Sequence, residues 1–153
     1  MRRTPHLKQR IKTAQRTTRT SSPPSRPTPR EAAKDAQRIA LLAAEAGLDK
    51  KASEVEIVDV TGKVDYADFL VLMNGHSDRH VAAIAEAVDE FLSRKGFHSI
   101  SSEGLPRGEW VLIDFVDVVV HVFQERTRSL YDLDGLWMDA RRVQLPASDS
   151  NAS

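Results

Sequence analysis

No cysteine occurs in the 153 residues, which excludes disulfides and thiolate metal sites and suits a reducing compartment. No run reaches the ~18 consecutive apolar residues that a membrane span needs, so a soluble chain is expected. Aromatic residues are scarce at 6%, within a hydrophobic content of 41%, which allows one domain with a modest core. Acidic residues are missing altogether from residues 1–30, where nine Lys or Arg occur. The zero formal net charge therefore conceals a basic arm on an acidic body. Residues 31–153 carry 13 basic against 22 acidic groups, a net of −9.

Residues 1–27 are rich in Arg, Thr, Ser and Pro, with few large apolar groups. Such a segment buries too little surface to offset its ordering entropy, so a disordered arm is expected. Two uses remain open. The arm can touch RNA phosphates weakly, with salt-sensitive affinity. An acid-free, Arg- and Ser-rich start is also what an organellar transit peptide looks like, although the Pro cluster at 23–27 argues against an amphipathic presequence. The expected location is cytoplasmic, or organellar if the arm is such a peptide.

Thr28-Pro29-Arg30-Glu31 has the form of a capping box with Pro at the first helical position, so a domain spanning residues 28–140 starts with a helix. Strong helix formers follow, and Gly47 suits a C-cap. Val55, Ile57, Val58 and Val60 mark a first strand. Phe69 to Met73 is a continuous apolar run that fits a central strand covered on both faces. Val81, Ile84, Ala85, Val88, Phe91 and Leu92 recur at helical spacing after a Ser77-Asp78 cap. Short strands are expected at His98 to Ser102, Trp110 to Asp114 and Val118 to Phe123, then an amphipathic helix from Thr127 to about Ala140. Gly135 costs that helix about 1 kcal/mol relative to Ala, so it needs packing or a partner to persist. Residues 141–153 read as a disordered polar tail. The fold class is α/β: a single layered domain in the order α-β-β-α-β-β-β-α, with a mixed sheet of about five strands and flanking helices.

The chemistry-bearing residues are few. His76 and His80, at i and i+4, can share a metal, but no third ligand stands at a telling distance, and they read as polar groups at a helix end. Gly75-His76-Ser77, between a strand and a helix, fits a phosphate-binding turn. A metal-dependent nucleotidyltransferase, however, needs two carboxylates on one strand face. Asp114 and Asp117 are three apart across a turn. His121 interrupts an apolar strand and reads as a hydrogen-bonded core group; no Ser or Cys nucleophile accompanies it. No catalytic residue, metal or cofactor is expected. The set Trp110, Tyr131 and Trp137, with Leu130, Leu133 and Leu136, exceeds what one short helix can bury. Its residue types are those enriched at interface hot spots, so part of it is expected to face a partner.

Several stretches in order resemble the Iojap-type ribosomal silencing factor family over about residues 35–140. A-D-F-L-V-L at 67–72 is similar to that family's A-D-Y-F-V-I, and G-H-S-D-R-H-V-A-A-I-A at 75–85 to its G-x-S-x-R-H-V-x-A-I-A. W-V-L-I-D-F-V-D-V-V-V-H-V-F at 110–123 resembles W-V-L-L-D-Y-G-D-V-V-V-H-V-F, and R-S-L-Y-D-L-D-G-L-W at 128–137 resembles R-x-x-Y-x-L-E-x-L-W. Val116 departs from the family, standing where a turn Gly is common; a β-branched residue disfavours positive φ. The resemblance implies a non-enzymatic translation repressor. It binds the large ribosomal subunit through ribosomal protein L-fourteen and blocks joining of the small and large subunits; roles in large-subunit maturation and homodimers also occur. Carried onto this chain, the partner-binding residues are Trp110, Tyr131, Leu133, Leu136 and Trp137, with Asp114 and His121 as supporting residues. An RNA-binding module driven by the basic arm remains the other non-enzymatic reading.

Overall fold

The computed structural model describes residues 28–104 and 109–145. The basic arm (1–27) and residues 146–153 of the expected tail lie outside the described residues. The chain divides into two units, residues 1–35 and 36–153. What is described of the first is a helix start: the Thr28 N–H donates to Glu31 Oε1 at 3.0 Å and the Glu31 N–H to Thr28 Oγ1 at 3.1 Å. That reciprocal pair is the capping box expected from the sequence.

Helix α1, Pro29–Asp49, continues into the second unit, where Ala36, Ala40, Ala43 and Ala44 form a small-residue stripe buried in the core. It runs two residues past Gly47, which is not its cap: a Cβ there would collide with the Met73 thioether. Close approach of α1 to the sheet, rather than a left-handed turn, requires that glycine.

Strands β1 (Ser53–Asp59), β2 (Phe69–Gly75), β3 (Ser101–Gly104), β4 (Trp110–Asp114), β5 (Val118–Gln124) and β6 (Arg141–Val143) form one sheet in the order β3-β4-β5-β2-β1-β6. Only β2 and β5 pair in parallel; the other neighbours are antiparallel. All seven residues of β2 are buried, as the uninterrupted apolar run requires of a central strand. The sixth strand corrects the expectation of a polar tail from residue 141. Arg141-Arg142-Val143 pairs with Asp59-Val58-Ile57, and only Val143 turns into the core, so three residues carry too little apolar pattern to be seen. Strand β3 starts three residues later and ends two later than expected, at 101–104 instead of 98–102.

Helix α2, Asp78–Arg94, is capped by Ser77, whose Oγ accepts the His80 N–H at 3.1 Å. It buries Val81, Ile84, Ala85, Val88 and Leu92 together with the α1 alanines against one sheet face, which contributes Ile57, Val71, Met73, Val118, Val120 and Val122. The opposite face contributes Val58, Leu70, Leu72, Val119 and Phe123. No long helix covers it among the described residues. The single helix expected from Thr127 to Ala140 is instead α3 (Glu125–Tyr131), a left-handed Asp132 (φ +49°) and a one-turn α4 (Leu133–Leu136), which fold back over that face toward β6.

The β4–β5 connection is strained. Val116 has φ +80°, and the Asp117 N–H donates to Phe115 O at 3.1 Å, the hydrogen bond of a positive-φ γ-turn. Asp114 Oδ1 accepts the Val116 N–H at 2.7 Å and holds the turn closed. A β-branched residue here costs about 1–3 kcal/mol, more than the ~0.5–1 kcal/mol entropic penalty of glycine. Val116→Gly is therefore expected to raise unfolding free energy by about 1 kcal/mol in urea titration.

Candidate functional site

Of the sequence-predicted residues, Trp110, His121, Tyr131 and Trp137 meet at the thinly covered sheet face. Cross-strand register places Trp110 opposite Phe123, and Leu112 opposite His121, on that face. The Trp110 indole N–H donates to His121 Nδ1 at 3.1 Å, so a neutral His121 carries its own proton on Nε2. The Trp110 ring centroid lies 5.1 Å from that of Tyr131 and 5.6 Å from that of Phe123, both at tilted angles. His121 is stacked on Phe123 at 6.0 Å. This aromatic row fixes Tyr131, at the end of α3, against the rim of the sheet.

Beyond the row several large apolar side chains are exposed. Leu130 is 75% exposed, Met138 71%, Leu136 62% and Tyr131 49%. Trp137 differs: it is half-buried against the inner apolar group of this face, and its carbonyl accepts Arg142 Nη1 at 2.7 Å. The backbone of Leu133 opens α4 between Tyr131 and Leu136. Asp114 is buried at the far end of β4 from Trp110, where it closes the turn and does not join the aromatic row. Sequence reasoning missed Met138, and noted Leu130 only as part of the pattern. The spacing 130, 131, 136, 138 fits no single helical face, because the chain reverses at Asp132. The Asp132 and Asp134-Gly135 turn chemistry was the available signal.

Exposed carboxylates rim this surface at Asp132, Asp134 and Asp139. Behind it, the buried Arg128 side chain donates to both Asp134 oxygens, Nε to Oδ2 at 3.1 Å and Nη2 to Oδ1 at 2.9 Å. Arg142 Nε reaches Glu56 Oε1 at 3.2 Å, and Arg141 Nη2 reaches Asp59 Oδ2 at 2.7 Å.

Two of these carboxyls sit below the ordinary carboxylate range. Hydrogen bonding and charge from Arg128 lower Asp134 against the upward push of burial. At Asp59 burial pushes upward, but hydrogen bonds from Thr61 and Arg141 outweigh it. A depressed folded-state pKa adds stability that is whole above the unfolded value, about 4, and lost as pH falls through the folded value. Asp68, raised by burial and by the charge of Asp59, acts in the opposite sense. The thermal midpoint is expected to fall below about pH 4, with a shallower fall in Asp134→Asn.

The enzyme-like features are absorbed by structure. His80 Nδ1 accepts the His76 N–H at 2.9 Å and its Nε2 lies 2.8 Å from Lys50 O, so both ring nitrogens are engaged. In the Gly75-His76-Ser77 turn the His76 N–H and the Ser77 Oγ are both engaged within the protein. Asp117 lies exposed in the γ-turn while Asp114 is buried and bonded to that turn, so the two do not form a pair on one strand face. Among the described residues, no group of three or more His, Cys, Asp or Glu is placed to hold a metal ion. None of the described helices is long and apolar enough to cross a membrane.

Comparison with known proteins gives a consistent result. The sequence pattern of the family described as "Ribosomal silencing factor during starvation" matches residues 33–153. The curated protein named ribosomal silencing factor RsfS from Halalkalibacterium halodurans is 39% identical over 109 residues, which are 71% of this chain and 93% of that protein. Its namesake from Bacillus subtilis is 39% identical over 107 residues, 70% of this chain and 91% of that one. A crystal structure of a Chromobacterium violaceum protein superposes with a TM-score of 0.65 at 36% identity, covering 72% of this chain and 89% of that chain.

Proposed function

This chain belongs to the ribosomal silencing factor family, and from that membership we propose that it represses translation by occupying the joining face of the large ribosomal subunit. Its direct partner is ribosomal protein L-fourteen. Leu130, Tyr131, Leu136 and Met138 stand outward on a framework held by Trp110 and His121, and that exposed apolar set is the observation that carries the reading. Large apolar side chains left exposed in one short segment mark interaction sites, and aromatic anchors held in place lose little entropy on binding. A patch of standard size, about 800 Å² per partner, fits on a domain this large. The acidic rim, on a body of net charge −9, favours approach to a basic ribosomal protein, with faster association at low salt. Repression then follows from mutual exclusion, since two partners cannot share one surface. No catalytic step or cofactor is needed.

The remaining features of the reading are secondary. The protein acts in the cytoplasm, the basic arm adds a weak, salt-sensitive rRNA contact, and large-subunit maturation and homodimer formation are further activities open to the same domain. Sedimentation with separated subunits tests the docking. The protein is expected to pellet with large subunits and not with small ones; equal recovery with both, or with neither, overturns it.

A further inference from the structure

Arg128 is a buried cation, 5% exposed, in a segment where its neighbours Ser129 and Leu130 are open to solvent. Burying a guanidinium is costly unless it is fully paired, so its partners carry information. On one side it forks onto Asp134 of α4 through two hydrogen bonds. On the other, Nη1 donates to Glu54 O at 2.6 Å and to Asn74 Oδ1 at 3.0 Å, while its Cζ lies 5.9 Å over the Phe123 ring. Asn74 is itself buried at the end of β2. Glu54 has φ +50° at an irregularity in the β1 register, so a strained, non-glycine residue supplies the carbonyl that meets the guanidinium. Strain, a buried amide and a bidentate carboxylate all converge on one side chain whose purpose the sheet alone does not require.

What Arg128 ties together is the reversal of the chain. It sits in α3, three residues before Tyr131, and grips α4 two residues before Leu136. Without it, a seven-residue helix, a left-handed Asp132 and a single helical turn would have to hold their places mainly by the Tyr131–Trp110 ring contact and the packing of Trp137 and Ala140.

We propose that Arg128 is the positioning residue of the docking surface: its fork onto Asp134, anchored on Glu54 O and Asn74, holds α3 and α4 in the pose that presents Tyr131 and Leu136. This rests on the docking reading above. The fork preorganises the surface, so that ordering cost is met on folding and not on binding. A lysine keeps the charge but cannot make the paired contact.

The test uses full-length protein, isolated large subunits, and the variants Asp134→Asn and Arg128→Lys, singly and together. If the competent pose falls to about a tenth of the free population, apparent affinity falls about tenfold. Asp134→Asn is expected to show that loss, with faster hydrogen exchange at residues 129–138 in the free protein and protection regained on the subunit. A merely structural role would shift global unfolding instead and leave exchange in the bound state raised. The double variant is expected to bind no more weakly than Arg128→Lys alone, because that change already removes the fork that Asp134→Asn breaks. If the wild-type chain itself ignores large subunits, the docking reading falls and this inference with it. If the wild type binds and Asp134→Asn binds equally well, or the two losses simply add, the positioning role alone is overturned.

Discussion

Replacing Tyr131 and Leu136 together by Ala is expected to weaken binding to large subunits at least about 100-fold, since truncating a central anchor typically costs about 2 kcal/mol or more. The fold should survive. Leu136 is largely exposed and Tyr131 half-exposed, and the main loss is the Tyr131 contact with Trp110, so stability falls by no more than about 1–2 kcal/mol. Quantitative co-sedimentation alongside urea unfolding separates the two effects. Unchanged binding by a folded double variant would remove this surface from the interface. The tryptophans are poorer probes. Trp137→Ala takes a half-buried indole from the inner group of the same face and costs about 3 kcal/mol, so lost binding would not be separable from lost structure.

Gly75→Val is expected to destabilise the fold by about 3 kcal/mol in urea titration. A Cβ at Gly75 would stand 2.8 Å from Val81 Cγ2, 3.0 Å from its N and 3.1 Å from its Cα. Val81 cannot yield easily. Its N–H donates to Ser77 O at 2.9 Å, its side chain is fully buried, and the turn before it is tied by the His76–His80 hydrogen bond. The contact is with backbone on one side and the core on the other, so relief requires α2 to move off β2. A cost under about 1 kcal/mol would mean that this junction is looser than its distances imply.

These two predictions draw on different amounts of the sequence. The Gly75 junction was legible as an element boundary, because a buried strand, a cap and a strong 3.6-residue pattern follow one another without conflict. Its purpose was not legible, since a glycine that makes room for a neighbouring backbone looks the same in sequence as one that makes a turn. Gly47 illustrates this again: it reads as a cap and proves to be a contact with Met73. The last third of the chain was harder. Leucines and a tryptophan at residues 130–137 suggest one amphipathic helix, yet long-range bonds decide the path. Arg128 to Asp134, Arg128 to Glu54 and Arg142 to Glu56 join residues six to 86 positions apart, and no local pattern encodes them. The residue types at the surface were visible; which of them face outward depended on a reversal at Asp132 that periodicity cannot register.

Obstruction of subunit joining is the claim on which the account turns, and a reconstitution measures it directly. Purified small and large subunits are mixed under joining conditions with increasing full-length protein, and joined ribosomes are separated by gradient sedimentation. The account predicts that joined ribosomes decline in a saturable way, that the protein is recovered in the large-subunit peak, and that the Tyr131→Ala, Leu136→Ala double variant restores joining. Undiminished joining in molar excess of folded protein would contradict it.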